Sequence, residues 1–329
     1  MSPVRNARPI RPARVMACAL WLLLALAGNG AAEPIEVKAV PVALDPQRPG
    51  VRVVGRLVFT GGFELVSDHR SFGGLSGLDV SADGRRLRAV SDRGGWVTAD
   101  LVHDSAGRLV AAGSWRHTAM LTPSGKPVRG RQRDAEGLAR TAGGSFLVSF
   151  EGRHRIWRYP TALDAPPRPV KTPRDLDKAP VNGGLEGITA LSDGTILGVT
   201  ERHANGDGSL KGWLLRNGTA REIAYMPADR LHPTGLAAMP GGDVLLLERR
   251  LTLAGIRVRI VRLARGSLRA GTPLRGKAVA ELRHPLSVDN FEGIALRRDP
   301  QGRTLLYLVS DDNFLPFQRT LLLQFRMMD

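Results

Sequence analysis

The chain has 329 residues, of which 43% are hydrophobic and 24% charged, so it can form a globular core and is not a disordered sequence. Its single cysteine excludes an internal disulfide framework and a cysteine-ligated zinc or iron–sulfur site. The formal net charge is +16, and 41 of the 47 basic residues are arginine. This excess fits either a GC-biased genome or an anionic ligand. The sequence has no nucleic-acid motif, basic run or aromatic stacking platform, so no nucleic-acid partner is expected.

The first 32 residues have the order that is typical of a secretory signal peptide. Four arginines and no acid precede an apolar run of 11 residues at 17–27, and small residues follow up to Ala32. The run is too short to cross a bilayer, which takes about 20 residues. We therefore expect cleavage after Ala32, a periplasmic or secreted protein of charge +12, and no transmembrane anchor afterwards. Residues 33–50, with four prolines, are predicted to be an extended lead-in, and residues 51–329 a single domain.

Five segments of the remaining chain repeat one pattern. Each has a glycine followed by Leu or Ile, a short apolar strand, a Gly-bearing turn, and a second strand that ends at an acid. The glycines are Gly77, Gly137, Gly187, Gly235 and Gly293. The acids are Asp92, Glu151, Glu201, Glu248 and Asp311. Successive glycines are 60, 50, 48 and 58 residues apart. A period of about 50 residues built from short strands predicts a β-propeller.

Each repeat has room for the four antiparallel strands of a propeller blade. In the third repeat we predict strands at 187–191, 195–200, 212–216 and 221–225. The last repeat supplies three strands, the third at 320–326, and the missing fourth is available at 51–59 and 63–66. Pairing the two ends would cover the open edges of the ring. The sequence therefore predicts an all-β fold, a single propeller with five blades by repeat count, with a degenerate sixth blade as the alternative.

Three sequence blocks, GGLSGLDVSADG, NGGLEGITALSDG and DNFEGIAL…LYLVSDDNF, resemble the phytase-like β-propeller family, whose members are described as having esterase-like activity related to phytase. The resemblance extends from about Val51 to the C-terminus. It implies a secreted propeller with hydrolytic activity and a dependence on calcium in the manner of propeller phytases.

The topology of a propeller blade predicts which residues share a face. The loop that enters the first strand and the end of the second strand lie at the same end of an antiparallel meander. Acids before the repeat glycines should therefore lie near the terminal acids, around one mouth of the central channel. Ser76 and Thr234 replace glutamate in the first and fourth repeats, which fits either an asymmetric substrate or drift. The predicted catalytic acids are Glu136, Glu186 and Glu292. The predicted metal ligands are Asp92, Glu151, Glu201, Glu248, Asp311 and Asp312.

So many carboxylates at one mouth need a positive partner. One candidate is a hard, oxygen-seeking cation such as Ca²⁺. The other is a set of arginines that follow the acids within two residues and can lock blades together or hold a substrate anion. These arginines are Arg93, Arg153, Arg202 and Arg249. Structural pairing, metal binding and direct acid–base chemistry all remain open. His69 and His203 lie in loops predicted at this mouth and are candidate catalytic groups.

The sequence favours hydrolysis of a phosphate or carboxylic ester over other chemistry. The G-x-S-x-G, S-x-x-K and H-E-x-x-H motifs are absent, so water activated by a metal or a carboxylate fits better than a covalent serine. No nucleotide or redox cofactor is expected. The substrate would be a small molecule, an anionic ligand or an ester. The alternatives are a propeller that binds a ligand or protein partner without turnover, and a lactonase-like enzyme.

Overall fold

Antiparallel strands joined by short turns make up nearly all of the computed structural model, which describes residues 32–252, 255–271 and 273–328. The predicted signal peptide, residues 1–32, lies outside these ranges except for Ala32. Three short 3₁₀ helices, Gly130–Gln132, Arg174–Lys178 and Arg265–Ser267, are the helical segments of the described chain. Within the same ranges, no helix is long and apolar enough to cross a membrane.

The strands form five sheets in chain order, each of which is one blade. Four strands precede the first repeat: β1 (Glu33–Pro34), β2 (Lys38–Pro41), β3 (Val53–Val54) and β4 (Leu57–Val66). Blade one contains β5 (Leu75–Val80), β6 (Arg86–Ser91), β7 (Gly95–His103) and β8 (Leu109–Ala119). Blade two contains β9 (Ala135–Arg140), β10 (Phe146–Phe150), β11 (Arg155–Tyr159) and β12 (Arg168–Val170). Blade three contains β13 (Leu185–Ala190), β14 (Ile196–Ala204), β15 (Leu210–Arg216) and β16 (Thr219–Tyr225). Blade four contains β17 (His232–Ala238), β18 (Val244–Thr252), β19 (Gly255–Leu263) and β20 (Lys277–Arg283). Blade five contains β21 (Phe291–Arg298), β22 (Thr304–Ser310) and β23 (Thr320–Met327).

The ring closes through the ends of the chain, as predicted. β4 pairs antiparallel with β23 and completes blade five, so the five-bladed all-β propeller is confirmed. The two segments predicted for this role, 51–59 and 63–66, meet in the single strand β4, whose register shifts opposite Gln324 and Phe325. The lead-in also spans the seam of the ring. β1 adds to the edge of blade one by pairing with β8, whereas β2 pairs with β4 in blade five.

The repeated glycines allow the first strands of neighbouring blades to approach closely around the channel. A Cβ on Gly137 would lie 2.5 Å from the carbonyl oxygen of Glu186, and one on Gly235 would lie 2.6 Å from that of Glu292. Both distances are shorter than real Cβ contacts, so a side chain at either position would force the strands apart. The approach leaves a cavity of about 10 Å³ between these strands, the space of about one water molecule.

The hydrophobic core lies between adjacent sheets. Apolar side chains of alternating strand positions form clusters that each join two neighbouring blades. Between blades one and two, Trp96 packs edge-on against Tyr159 at 5.2 Å and lies 5.8 Å from the ring of Phe146. This packing fixes the blades rigidly around the channel and positions the residues at its mouth.

Candidate functional site

Three glutamates from three blades converge at one mouth of the channel. Glu136, Glu186 and Glu292 are each the second residue of the first strand in their blade. One carboxylate oxygen of each lies within 4.8 Å of the others. In all five sheets the strand pairing shifts register at this position. Such a bulge removes a residue from the ladder and redirects its side chain, which explains why these side chains meet. The five bulge residues, here called the first ring, are Ser76, Glu136, Glu186, Thr234 and Glu292.

The residues that follow the last paired position of each second strand form a second ring. In register, Leu75 faces Ser91, Ala135 faces Phe150, Leu185 faces Thr200, Pro233 faces Glu248 and Phe291 faces Ser310. The next residues, Asp92, Glu151, Glu201, Arg249 and Asp311, therefore occupy equivalent positions. Four predicted metal ligands are in this ring.

Glu248 does not belong to the second ring, although the sequence placed it there. The fourth repeat is one residue shorter than its neighbours, and a shift of one residue turns a strand side chain to the other face. Glu248 accordingly points into the interface of blades three and four, where Tyr225 Oη donates a hydrogen bond to Glu248 Oε1 at 2.5 Å. Burial raises the pKa of Glu248 to about 7. Arg249 takes its place at the mouth.

Arg249 is the buried cation of the mouth. Its Nη2 lies 2.8 Å from Glu292 Oε1 and 4.0 Å from Glu201 Oε1. The amide of Asn290 also donates to Glu292 Oε1, at 2.8 Å. Burial opposes the charge of Arg249, but the nearby carboxylates outweigh it and raise its pKa above the ordinary value. Arg249 is therefore fixed among the acids, which distinguishes it from the other three arginines predicted to bind substrate.

Asp134 is a member of the cluster that the sequence analysis missed. Carboxylate oxygens of Asp134, Glu136 and Glu151 lie within 4.8 Å of one another, so Glu136 belongs to two groups of three acids. The carboxyl groups of Asp134 and Glu136 share a hydrogen bond, which requires one of them to hold a proton. A signal for Asp134 existed, because Asp134 and Asn290 are both polar residues two positions before a first-ring glutamate.

The acids of the two rings are held away from their ordinary ionisation. Burial raises the pKa of Glu136 and Glu186 well above the usual range, and neighbouring carboxylates add to the effect. Burial also raises the pKa of Asp92 to about 7 and that of Asp311 to about 8. A single arginine therefore does not neutralise the mouth, and the protein must bind either protons or a cation there.

Two of the predicted ligands also join consecutive blades. Glu151 Oε1 accepts hydrogen bonds from the backbone N–H groups of Gly183 and Gly184, which lead into blade three. Across the seam of the ring, Asp312 Oδ1 accepts the N–H of Gly74 at 3.0 Å, and Asp312 Oδ2 accepts a bond from Thr320 Oγ1 at 3.1 Å. These contacts hold the two carboxylates in place and use part of their hydrogen-bonding capacity.

The structure keeps both predicted histidines apart from the glutamates. Nε2 of His203 lies 3.2 Å from Asp175 Oδ2, and the same carboxylate pairs with Lys211 at 2.6 Å. His69 accepts a weak hydrogen bond from the N–H of Ser71 at 3.3 Å and neighbours His117 instead of the acids. Neither ring therefore contains a histidine.

The remaining arginines lie around the outside of the mouth. Arg93 is exposed and stacks on the ring of Phe314, with 3.2 Å between the guanidinium carbon and the ring centroid. Arg202 Nε lies 2.8 Å from Glu201 Oε2, and its side chain is 53% exposed. Arg153 is exposed. Their guanidinium groups can therefore meet a ligand that approaches from solvent.

Fold and site together define the chain as a five-bladed β-propeller with a carboxylate-lined channel mouth. It belongs to the family described as "Phytase-like: Esterase-like activity of phytase", whose sequence profile matches residues 70–314. No curated protein sequence matches the chain significantly.

Solved propeller structures resemble it in fold. Virginiamycin B lyase from Staphylococcus aureus has a TM-score of 0.44 and 11% identity, over 89% of this chain and 100% of that one. A gluconolactonase from Xanthomonas campestris has a TM-score of 0.43 and 13% identity, over 92% and 89%. The PQQ-bound aldose sugar dehydrogenase from Streptomyces coelicolor has a TM-score of 0.41 and 14% identity, over 89% and 99%.

Proposed function

We propose that this protein hydrolyses a phosphate or carboxylic ester with the help of a divalent cation, Ca²⁺, held among the carboxylates of the channel mouth. The observation that carries the proposal is the convergence of Glu136, Glu186 and Glu292 from three separate blades. Repulsion makes such a convergence unfavourable unless the protein uses it. Membership of the phytase-like family supports a hydrolytic role.

The geometry of these glutamates fits the coordination of calcium. Ca²⁺ binds oxygen ligands at about 2.3–2.6 Å, so two ligands of one ion lie up to about 5 Å apart. The three carboxylate oxygens lie within 4.8 Å of one another. Glu186 is buried, and among the described residues its carboxylate has no hydrogen-bond partner. Ligands would come from these three glutamates, with Asp134 and Glu151 beside them. A bound cation would polarise the oxygen of the ester or phosphoryl group.

The other residues of the mouth provide proton transfer and binding of the substrate anion. Asp92, whose pKa burial raises to about 7, exchanges a proton readily near neutral pH and is suited to general acid–base work. Arg93, Arg153 and Arg202 surround the mouth, where a guanidinium can hold a phosphate or carboxylate through two parallel hydrogen bonds. Arg249 keeps Glu292 ionised and in position.

The test is a hydrolysis panel of p-nitrophenyl phosphate, p-nitrophenyl acetate and glucono-δ-lactone, measured after EDTA treatment and again after Ca²⁺ is added. We expect turnover of at least one substrate that depends on Ca²⁺ and falls about 100-fold or more in Glu186→Gln with unchanged folding. The matched control is Glu222→Gln, which alters an exposed glutamate on β16. If EDTA and Ca²⁺ change neither activity nor melting temperature, the metal part of the proposal is wrong.

The alternative function is a propeller that binds a ligand at the same mouth without turnover. The blade-joining contacts of Glu151 and Asp312 favour it, because they give two of the acids a structural purpose. Calcium binding in a calorimeter, combined with no turnover in the whole panel, would support this alternative. Turnover of the lactone alone would instead indicate a lactonase.

A further inference from the structure

The largest cavity of the described chain is on the face opposite the carboxylates. It is a cleft of about 520 Å³ between blades three and four, within the roughly 300–1,000 Å³ of typical small-molecule sites. Leu191 in the β13–β14 turn, Arg216 before the β15–β16 turn and Arg265 after β19 contribute to its walls. These connections are at the opposite ends of the strands from Glu186, so the cleft is separate from the candidate site.

Two arginines of this cleft have no acidic partner. Arginines on this face commonly pair with an aspartate, and Arg216 does so within the cleft, 3.2 Å from Asp193. Arg221 and Arg265 line the same cleft, and within the described ranges their side chains have neither an ion pair nor a hydrogen bond. The other pairs on this face are Arg108–Asp104, Arg262–Asp243 and Arg303–Asp299. The cleft therefore carries two uncompensated positive charges.

The fold positions one of these arginines. The backbone N–H of Arg265 donates to Asp243 Oδ1 at 2.9 Å. Its side chain crosses Gly242, where a Cβ would lie only 2.6 Å from Arg265 Cδ. Gly242 also has φ +90°, a conformation that favours glycine. The glycine thus makes room for the arginine side chain, which reduces the entropy lost when its guanidinium binds a ligand.

The wall between the arginines is apolar. Leu191, Leu214 and Leu268 line the cleft, and each packs on the hydrophobic cluster between blades three and four. A ligand that only paired with the guanidinium groups would leave these leucines in water. A ligand with an apolar group would cover them and gain about 25 cal/mol per Å² of buried apolar surface.

We propose that this cleft is a second binding site, for a small anion that carries an alkyl or aryl group, either a phosphate monoester or a carboxylate. Arg221 and Arg265 bind the anionic group, for which guanidinium geometry is suited, and the leucines contact the apolar group. The site is independent of the proposed hydrolysis, because its ligand is bound and not converted.

The experiment is calorimetric titration of the purified protein in EDTA, which keeps metal binding at the other face out of the measurement. The probes are octyl phosphate and octanoate, with inorganic phosphate and octyltrimethylammonium as comparators. We expect one of the two octyl anions to bind at least tenfold more tightly than inorganic phosphate, and the octyl cation not to bind. The better of the two anions identifies the headgroup.

Substitutions separate this site from the general positive charge of the protein. The double variant Arg221→Ser, Arg265→Ser should weaken binding of the octyl anion at least tenfold. Arg168→Ser, Arg283→Ser removes the same charge from exposed positions on β12 and β20 and should leave binding unchanged. Circular dichroism checks that each variant folds. Equal weakening by both double variants, or no binding of either octyl anion at millimolar concentration, would overturn the proposal.

Discussion

Replacing Arg249 with methionine tests whether the buried arginine neutralises the acidic mouth. Methionine keeps most of the apolar stem and removes the charge. The pairs at 2.8 Å with Glu292 and 4.0 Å with Glu201 correspond to gross attractions of about 6 and 4 kcal/mol at an effective dielectric constant of about 20. Desolvation offsets much of this, and loss of one partner from a buried pair typically costs about 3–5 kcal/mol. We expect a cost in that range at pH 8.

The measurement is urea unfolding in EDTA at pH 8 and pH 5, with Arg202→Met as the control. Arg202 also pairs with Glu201, but its side chain is 53% exposed, so its loss should cost at most about 1 kcal/mol. The cost of Arg249→Met should be smaller at pH 5, because the carboxylates left without a partner can then take up protons. Equal costs for the two variants at pH 8, or equal costs of Arg249→Met at both pH values, would refute the reasoning.

Three further predictions concern the channel. In EDTA, the free energy of unfolding should fall between pH 5 and pH 8: acids such as Asp311, with a folded pKa of about 8, hold protons that the unfolded chain has released. Urea titrations that show stability rising over this range would contradict this. Glu186→Gln should stabilise the EDTA-treated protein at pH 8 by on the order of 1 kcal/mol, because it relieves repulsion, while lowering Ca²⁺ affinity at least tenfold in calorimetry; a loss of stability would indicate structural pairing. Gly235→Ala should cost about 1–3 kcal/mol in urea unfolding because its Cβ would meet a backbone oxygen at 2.6 Å, whereas Gly113→Ala, with nothing within 4 Å, should be nearly neutral.

The repeat predicted the fold because every repeat contains the same local instructions. A glycine that permits close approach, an apolar strand and a turn recur five times, and the ends of the chain supply complementary strands. The predicted strands of blade three match the observed β13 to β16 within a few residues. The lead-in differs, because its residues gave no strand pattern. Its short strands pair only because the neighbouring sheets present open edges.

The site was predictable where it follows from topology and not where it depends on register. Glu136, Glu186 and Glu292 could be placed together because they occupy the same position in their blades. The exchange of Glu248 for Arg249 could not be found from spacing, since one missing residue inverts the side-chain direction without breaking the pattern. The separation of His203 from the mouth depends on Asp175, which lies in a 3₁₀ helix outside the repeat.

The narrowness of the channel determines how molecules can move through this protein. A space of about one water molecule between the first strands does not let an ester or its products pass along the axis. Substrate must therefore enter, and both products must leave, by the same mouth. A product anion released past Arg93 and Arg202 would compete there with the next substrate molecule. An anion bound in the cleft on the opposite face has no solvent route to this competition, and could affect it only through the strands of blades three and four.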